Sequence, residues 1–597
     1  MKHLIQHFNN LTLHPKNAKA LKGLILQLAV QGKLSENWRA EHPDVESGDE
    51  LLKKADEEKK LLVEQKQIKK EKKLTPISIK EKLKYSLPNN WAIARLGNIG
   101  DWGAGATPLR SNPEFYGGEI NWFKSGELNN SIINYESREK ITELALKKTS
   151  VRLNKPGDVL IAMYGATIGK TSLLDVEGTT NQAVCACTPF KCIKSEYLHL
   201  LLKALKQVFL NQGEGGAQPN ISRVKIRNQI FLLPPLQEQK AIVAIVEELF
   251  AEVEQLEQKT KERIQLKKDY VTSALHKLSQ TNDVAKTWQD LQTHFATFFN
   301  EKANIKSLRE SILQLAVQGK LTKNWREKLR LNGAEVEPAS ELLKRINAEK
   351  KRLIEAKAIK KEKPLPEITE DEKPFELPEG WVWCRMQDLC PNISSGSTPP
   401  KPYFKETGIP YLKVYNIRDQ KIDFGYKQQY LDKKYHNTKL RRSILKPGDV
   451  IMNIVGPPLG KVAVIPNTHS EWNCNQAISF FKPIDKSLST WLYTFLLAGT
   501  FLKHIELIGT AGQDNISVTK SKMIMIPIPP LEEQKAIVEL VDELMAYCDG
   551  LEREVEQRDN LLEDLMASCL VEMEGDSAKS DVEELGMVAE DSKTYTK

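Results

Sequence analysis

The sequence predicts an α+β protein in which two globular mixed α/β domains are joined by two long coiled-coil helices in a circular, pseudo-two-fold arrangement. Three observations predict it. The chain is an internal repeat, each copy closes with a long heptad-patterned helix, and the order of the repeated parts is circularly shifted.

The repeat begins in an N-terminal helical segment, residues 1–85, that returns at 281–376. The decapeptide at 25–34 comes back letter for letter at 312–321, and Asn37-Trp38-Arg39 matches Asn324-Trp325-Arg326. Glu50-Leu51-Leu52-Lys53 returns at 341–344, and Lys69-Lys70-Glu71-Lys72 at 360–363. A globular domain follows each copy, at 86–235 and 377–530. Both open on Leu-Pro-x-x-Trp, at Leu87 to Trp91 and Leu377 to Trp381. Lys-Pro-Gly-Asp-Val recurs at 155–159 and 446–450, and Asn-Gln-Ala at 181–183 and 475–477. Across these matches the offset drifts only from 287 to 295 residues, which chance does not produce. Residues 109–150 and 400–440 share little, so one scaffold carries two different interiors; neutral drift in loops is the competing explanation.

The long helices, 236–280 and 531–572, follow paired prolines that fit a helix start. In the first, Ile242, Val246, Leu249, Val253 and Leu256 step by 4 and 3; in the second, Ile537, Val541, Leu544, Cys548, Leu551 and Val555 do the same. That is a coiled-coil seam, and the other copy is its expected partner. Each helix runs roughly 40 residues, about 60 Å at 1.5 Å per residue. A helical segment follows the first long helix but not the second, so the N-terminal segment is expected to pack near the end of the second. Residues 573–597 are acidic and poor in apolar side chains, and are expected to be disordered.

Charge separates the parts. The formal net charge is +7 over 597 residues, yet 86–235 carry +5 and 377–530 carry +8, leaving everything else at −6. Two basic blocks of similar length would attract a polyanion. Eight cysteines without a CxxC pair argue against a disulfide framework or a structural zinc site, and a reducing cytoplasm suits the chain.

Catalytic motifs are incomplete. Gly165-Ala166-Thr167-Ile168-Gly169-Lys170-Thr171 is one residue short of a phosphate-binding P-loop, and Gly456-Pro457-Pro458-Leu459-Gly460-Lys461-Val462 has prolines in the loop and no Ser/Thr after the lysine. Both are expected as turns presenting a lysine. Asp101-Trp102-Gly103-Ala104-Gly105 faintly resembles a methyltransferase glycine loop, without the Asn/Asp-Pro-Pro-Tyr/Phe that methylation needs; it is expected as ordinary loop. No His-Glu-x-x-His pair of metalloprotease type is present.

The polar residues kept inside each basic domain are suited to nucleic acid, because amides and cations read base edges or grip phosphates. Those shared by the two copies are Thr107 and Thr398, Lys124 and Lys413, Lys170 and Lys461, Gln218 and Gln513, Asn220 and Asn515, and Lys225 and Lys520. They are candidates for backbone contacts or for fold determinants. The divergent Arg110, Asn129, Asn130, Arg138, Arg418 and Lys421 are candidate base readers.

The ordered set of paired motifs resembles the specificity (S) subunit of type I restriction-modification enzymes over nearly the whole chain. It includes the Leu-Pro-x-x-Trp, Lys-Pro-Gly-Asp-Val, Gly-x-x-x-Gly-Lys, Asn-Gln-Ala and Gln-x-Asn-Ile-Ser pairs, and Pro-Pro-Leu-x-Glu-Gln-Lys-Ala-Ile-Val before each long helix. The resemblance implies two target recognition domains joined by two antiparallel helices that space two DNA half-sites. It implies a non-catalytic subunit that binds double-stranded DNA and docks two modification subunits and restriction/translocase subunits. S-adenosylmethionine, ATP and magnesium would belong to those partners. A stand-alone DNA methyltransferase and a coiled-coil scaffold without a DNA role are the rival readings.

Overall fold

The computed structural model describes residues 17–574, apart from 84, 214–219, 282, 457, 506–507 and 511–512. The acidic tail from 575 onward therefore lies outside the described residues. The chain divides into two compact units, Met1–Arg263 with Asp559–Lys597, and Ile264–Arg558. Both boundaries fall inside the long helices, Leu236–Gln280 and Leu531–Glu574. Each unit thus owns the start of one long helix and the end of the other, as a circular order of segments requires.

The first unit opens with helices Asn17–Val30, Glu36–Glu41 and Gly48–Glu64. Gly32, at φ +72°, turns the chain out of the first helix. A Ser47–Glu50 capping box starts the third. The first helix buries Leu21, Ile25 and Ala29 in one core with Ile242, Val246 and Val253 of the first long helix, and Leu565 near the end of the second packs against that core. Each such leucine, isoleucine or valine side chain contributes about 1.5–3 kcal/mol on burial.

The second unit repeats the plan with helices Lys302–Val317, Lys323–Leu331 and Ala339–Glu355. Ile537, Val541, Cys548 and Val555 share a core with Leu308 and Ile312, and with Val271, Leu275 and Leu278 from the end of the first long helix. The heptad seam is therefore covered, with Leu249, Leu256, Leu544 and Leu551 half-buried. Within each unit the core that covers it combines both long helices with that unit's short-helix segment. An apolar stripe records that a helix face is covered, and carries no information about which element covers it.

A duplicated buried cluster ties helices to domain inside each unit. Glu238 accepts hydrogen bonds from Ser35 Oγ at 2.7 Å, Arg39 Nε at 3.0 Å and Trp91 Nε1 at 2.8 Å. In the second unit Glu533 accepts from Thr322 Oγ1 at 2.6 Å, from Trp381 Nε1 at 2.9 Å and from Arg326. Arg39 and Arg326 also donate to the carbonyls of Gly32 and Gly319. The repeated Trp, Asn-Trp-Arg and Glu-Gln letters of the sequence are largely this cluster.

Beyond it, each domain is closed by a two-stranded clasp. Ala92–Arg95 pairs antiparallel with Ile230–Leu233, and Val382–Arg385 with Met525–Ile528. Inside the first clasp lies a five-stranded sheet in the order Gly100–Ala104, Val184–Pro189, Val159–Ala162, Thr171–Leu174, Ile132–Ile133. Inside the second a four-stranded sheet runs Ser394–Ser395, Ile478–Phe481, Val450–Asn453, Val462–Val464. A second small sheet in each domain holds Tyr116–Phe123 parallel to Thr179–Thr180, and Ile409–Leu412 parallel to Asn473–Cys474. No helix among the described residues is long and apolar enough to cross a membrane.

Candidate nucleic-acid interface

In each domain several loops are stitched side by side by backbone hydrogen bonds. In the first, Ala106 N donates to Thr180 O at 3.0 Å, Asn181 N to Phe123 O at 3.1 Å, Met163 N to Ala183 O at 2.8 Å and Ile221 N to Met163 O at 2.9 Å. The second repeats every one: Ser397 N to Cys474 O at 3.1 Å, Asn475 N to Leu412 O at 3.0 Å, Ile454 N to Ala477 O at 2.9 Å and Ile516 N to Ile454 O at 3.0 Å. An aromatic side chain braces each set. Trp122 Nε1 donates to Ala106 O at 3.1 Å, and Tyr411 OH to Ser397 O at 2.9 Å. The glycine before each brace is a forced choice, because a Cβ on Gly105 or Gly396 would meet the backbone carbonyls of 180–181 or 474–475 at 2.0–2.4 Å.

This stitching brings together the loops that carry Thr107, Lys124 and Asn220, and in the second domain Thr398, Lys413 and Asn515, while Lys170 and Lys461 lie on the turns that follow Ala162 and Asn453. The loop edge so formed also presents two residues that motif reading passed over. Thr107 donates its hydroxyl to Gln182 Oε1, and Thr398 to Gln476 Oε1. All four side chains are exposed. The signal was in the sequence, since Asn-Gln-Ala is a repeated polar triplet, but it served there only as a landmark.

The cations are less free than their exposure suggests. Arg110 lies 4.5 Å from the Tyr116 ring centroid and 5.0 Å from Trp122, and pairs with Glu139, Nη2 to Oε2 being 3.1 Å. Lys124 also reaches Glu139, at 2.5 Å, and lies 5.2 Å from the Trp122 ring. The Arg110 hydrogen bond, followed by Lys124, holds the Glu139 carboxyl down at about 2. In the second domain Lys413 lies 5.7 Å from Phe404 and 5.9 Å from Tyr415, and Arg418 lies 4.5 Å from Tyr426 and 3.6 Å from Asp423. Arg418 faces Lys421 across a tight hairpin, Ile417–Arg418 with Lys421–Ile422. Its two turn residues, Asp419 and Gln420, have positive φ, as a two-residue hairpin turn requires. Among the described residues the first domain has no such hairpin; its region instead adds Ile132–Ile133 parallel to Thr171–Leu174. The divergent sequence is thus divergent backbone.

Other candidates have local duties. Asn129 is exposed and accepts from Ser131 Oγ at 2.6 Å, and Asn130, at φ +64°, accepts from Thr171 N at 3.0 Å. Arg138 is exposed. Lys225 spends its ammonium on Gln212 O at 2.8 Å. It sits, like Lys520, on a short helix whose first turn is capped by the repeated serine, Ser222 or Ser517. Ile-Ser of the Gln-x-Asn-Ile-Ser pair is therefore scaffold. Gln218 lies outside the described residues, and Gln513 is placed on the strand Gln513–Asn515.

The Gly-x-x-x-Gly-Lys loops connect antiparallel strands, Val159–Ala162 to Thr171–Leu174 and Val450–Asn453 to Val462–Val464. A P-loop leads from a strand into a helix whose N-terminus faces the phosphates, so this topology does not form one. Gly165, Gly169, Gly456 and Gly460 all take positive φ, in keeping with a turn. The stretch expected as loop at 101–105 is instead mostly strand, Gly100–Ala104 paired with Val184–Pro189. Alternation of Trp102 into the core outweighs the two glycines there.

Residues 88–266 and 378–558 both match the type I restriction modification DNA specificity domain. The type I restriction enzyme EcoAI specificity subunit of Escherichia coli is 30% identical over 555 residues, 89% of this chain and 90% of that one. The EcoEI specificity subunit of Escherichia coli is 29% identical over 561 residues, with the same shares covered. A chain solved in work on complex assembly and conformational transition of the type I R-M system is 19% identical, covers 81% of this chain and 98% of its own, and superposes with a TM-score of 0.46.

Proposed function

The chain belongs to the type I restriction modification DNA specificity family, and from that premise we propose that it is the recognition subunit of a type I restriction-modification complex, reading a bipartite and asymmetric DNA site with one half per domain. The observation that carries this reading is the loop edge. Its backbone stitching is the same in both domains, while the loops beside it differ in sequence and in backbone path. Shared parts suit what two half-sites have in common, and divergent parts suit what distinguishes them.

Half-exposed lysines beside this edge fix register by neutralising phosphates, which makes binding salt-sensitive. Divergent side chains then reach base edges. Half-sites about one helical turn apart, roughly 34–36 Å, present the same face of the duplex to both domains. The chain itself is non-catalytic in this reading, and works in the cytoplasm. S-adenosylmethionine, ATP and magnesium are left to two modification subunits and to the restriction subunits docked on it.

The test exchanges a domain clasp for clasp, replacing residues 382–528 with residues 92–233 in a host lacking its own copy of the gene. The methylated motif should change from asymmetric to a symmetric one built from a single half-site. A motif that stays asymmetric would sink the reading, as would one that persists when the gene is deleted.

A further inference from the structure

Most polar residues shared by the two domains are explained by folding: serines cap helices, Glu238 and Glu533 anchor buried clusters, and glycines allow close crossings. Thr107 with Gln182, and Thr398 with Gln476, are not explained that way. All four are exposed, and a solvent-facing neutral hydrogen bond adds little to stability. Yet the backbone beneath them is fixed on every side. The threonine loop is bound to the strand under the glutamine loop, the glutamine loop is bound to the strand end that precedes Lys124 or Lys413, and a buried ring braces the threonine loop from below. This is a rigid mount for two exposed side chains, built twice.

The chemistry of the mount selects a ligand. In each pair the threonine hydroxyl donates to the glutamine Oε1, and the Nε2 protons of the exposed amide meet no protein acceptor among the described residues. Bidentate reading of adenine uses both the amide oxygen and the amide nitrogen. A donor alone fits a phosphate oxygen, the acceptor that recurs along DNA whatever the sequence. Lysines 124 and 413 flank the two amides at equivalent positions, each beside aromatic rings. We propose that Gln182 and Gln476, oriented by Thr107 and Thr398, are equivalent phosphate contacts, one in each domain, that set each domain's register on DNA without reading sequence. The proposal rests on the recognition role above, and deepens it.

The test uses the full chain assembled with its modification subunits. Affinity for a duplex carrying the methylated motif and for an unrelated duplex is measured over a range of salt, alongside the methylated motif in cells. Gln182→Ala and Gln476→Ala should each weaken binding to both duplexes by about two- to tenfold, the range of one neutral hydrogen bond. The double substitution should compound the losses, since the sites share no partners. The slope of log affinity against log salt should not change, because a neutral amide releases no counterion; Lys124→Ala should flatten it by about 0.9. The motif should keep all its bases. Thr107→Ser should bind like the parent, and Thr107→Val should lose affinity as Gln182→Ala does. A motif relaxed at one base would overturn the proposal in favour of base reading, and undiminished affinity in the double variant would reduce the pairs to surface hydrogen bonds. If the parent complex prefers no sequence at all, it is the recognition role that falls.

Discussion

Glu238 and Glu533 each gather three side-chain donors from distant parts of their own unit. Glu238 is fully buried at its side chain and neutralised by Arg39, which is itself 13% exposed. Removing one member of such a cluster leaves the others buried without partners, which costs about 3–5 kcal/mol. Glu238→Ala should therefore destabilise the first unit by that amount, and Glu533→Ala the second. Glu238→Gln, which keeps an acceptor for Trp91, should cost less. Denaturant unfolding followed by tryptophan fluorescence would measure both; a loss under 1 kcal/mol for either alanine variant would show that the cluster is incidental. The letters of this cluster were visible as repeats, but their meeting was not. Ser35, Trp91 and Glu238 are separated by as much as 203 residues, and no local pattern announces such a contact. The same limit hid the pairing of Arg110 and Lys124 with Glu139, which lies 29 and 15 residues away.

The helices were the most legible elements. Their 4-3 stripes marked residues that are buried or half-buried in both units. The strands were illegible one by one, because most run only two to five residues and pair with distant partners. If the long helices set the spacing between half-sites, lengthening both should lengthen the gap and leave the bases unchanged. The insertion points follow from the structure. Lys22 pairs with Glu254, and Arg309 with Asp549 and Glu552, so a heptad placed after Arg263 and after Arg558 leaves these ties intact. Seven residues add roughly 10 Å at 1.5 Å each, or around three base pairs. Methylome sequencing should return the same two half-sites with a wider gap. A gap that does not change in a chain that still methylates would show that something else measures the distance.

At the scale of the whole molecule, the repeat predicted two domains, two long helices and a circular order of parts, because duplication is a property of the entire sequence. It could not predict which exposed side chains meet DNA, since residues that mount a loop and residues that contact a ligand repeat alike. Circular order has a direct consequence for truncation. Leu565 lies in the second half of the sequence but packs against the core of the first unit, with Leu21 and Ile25. Ending the chain after Arg558 should therefore loosen helix Asn17–Val30 and spare its counterpart Lys302–Val317. Hydrogen exchange should show faster amides in the first helix only; equal effects on both, or on neither, would contradict the circular packing. The clasps carry a different consequence, a mechanical one. Chain enters and leaves each domain through adjacent strands, Ala92 opposite Leu233 and Val382 opposite Ile528. Tension along the frame then peels a clasp from its open end, like a zipper, instead of shearing all its hydrogen bonds together. The tryptophans at 91 and 381 stand just outside those ends, locked onto Glu238 and Glu533. Each is the catch at the mouth of its zipper, and a load on the helices meets that catch before it reaches the loops above.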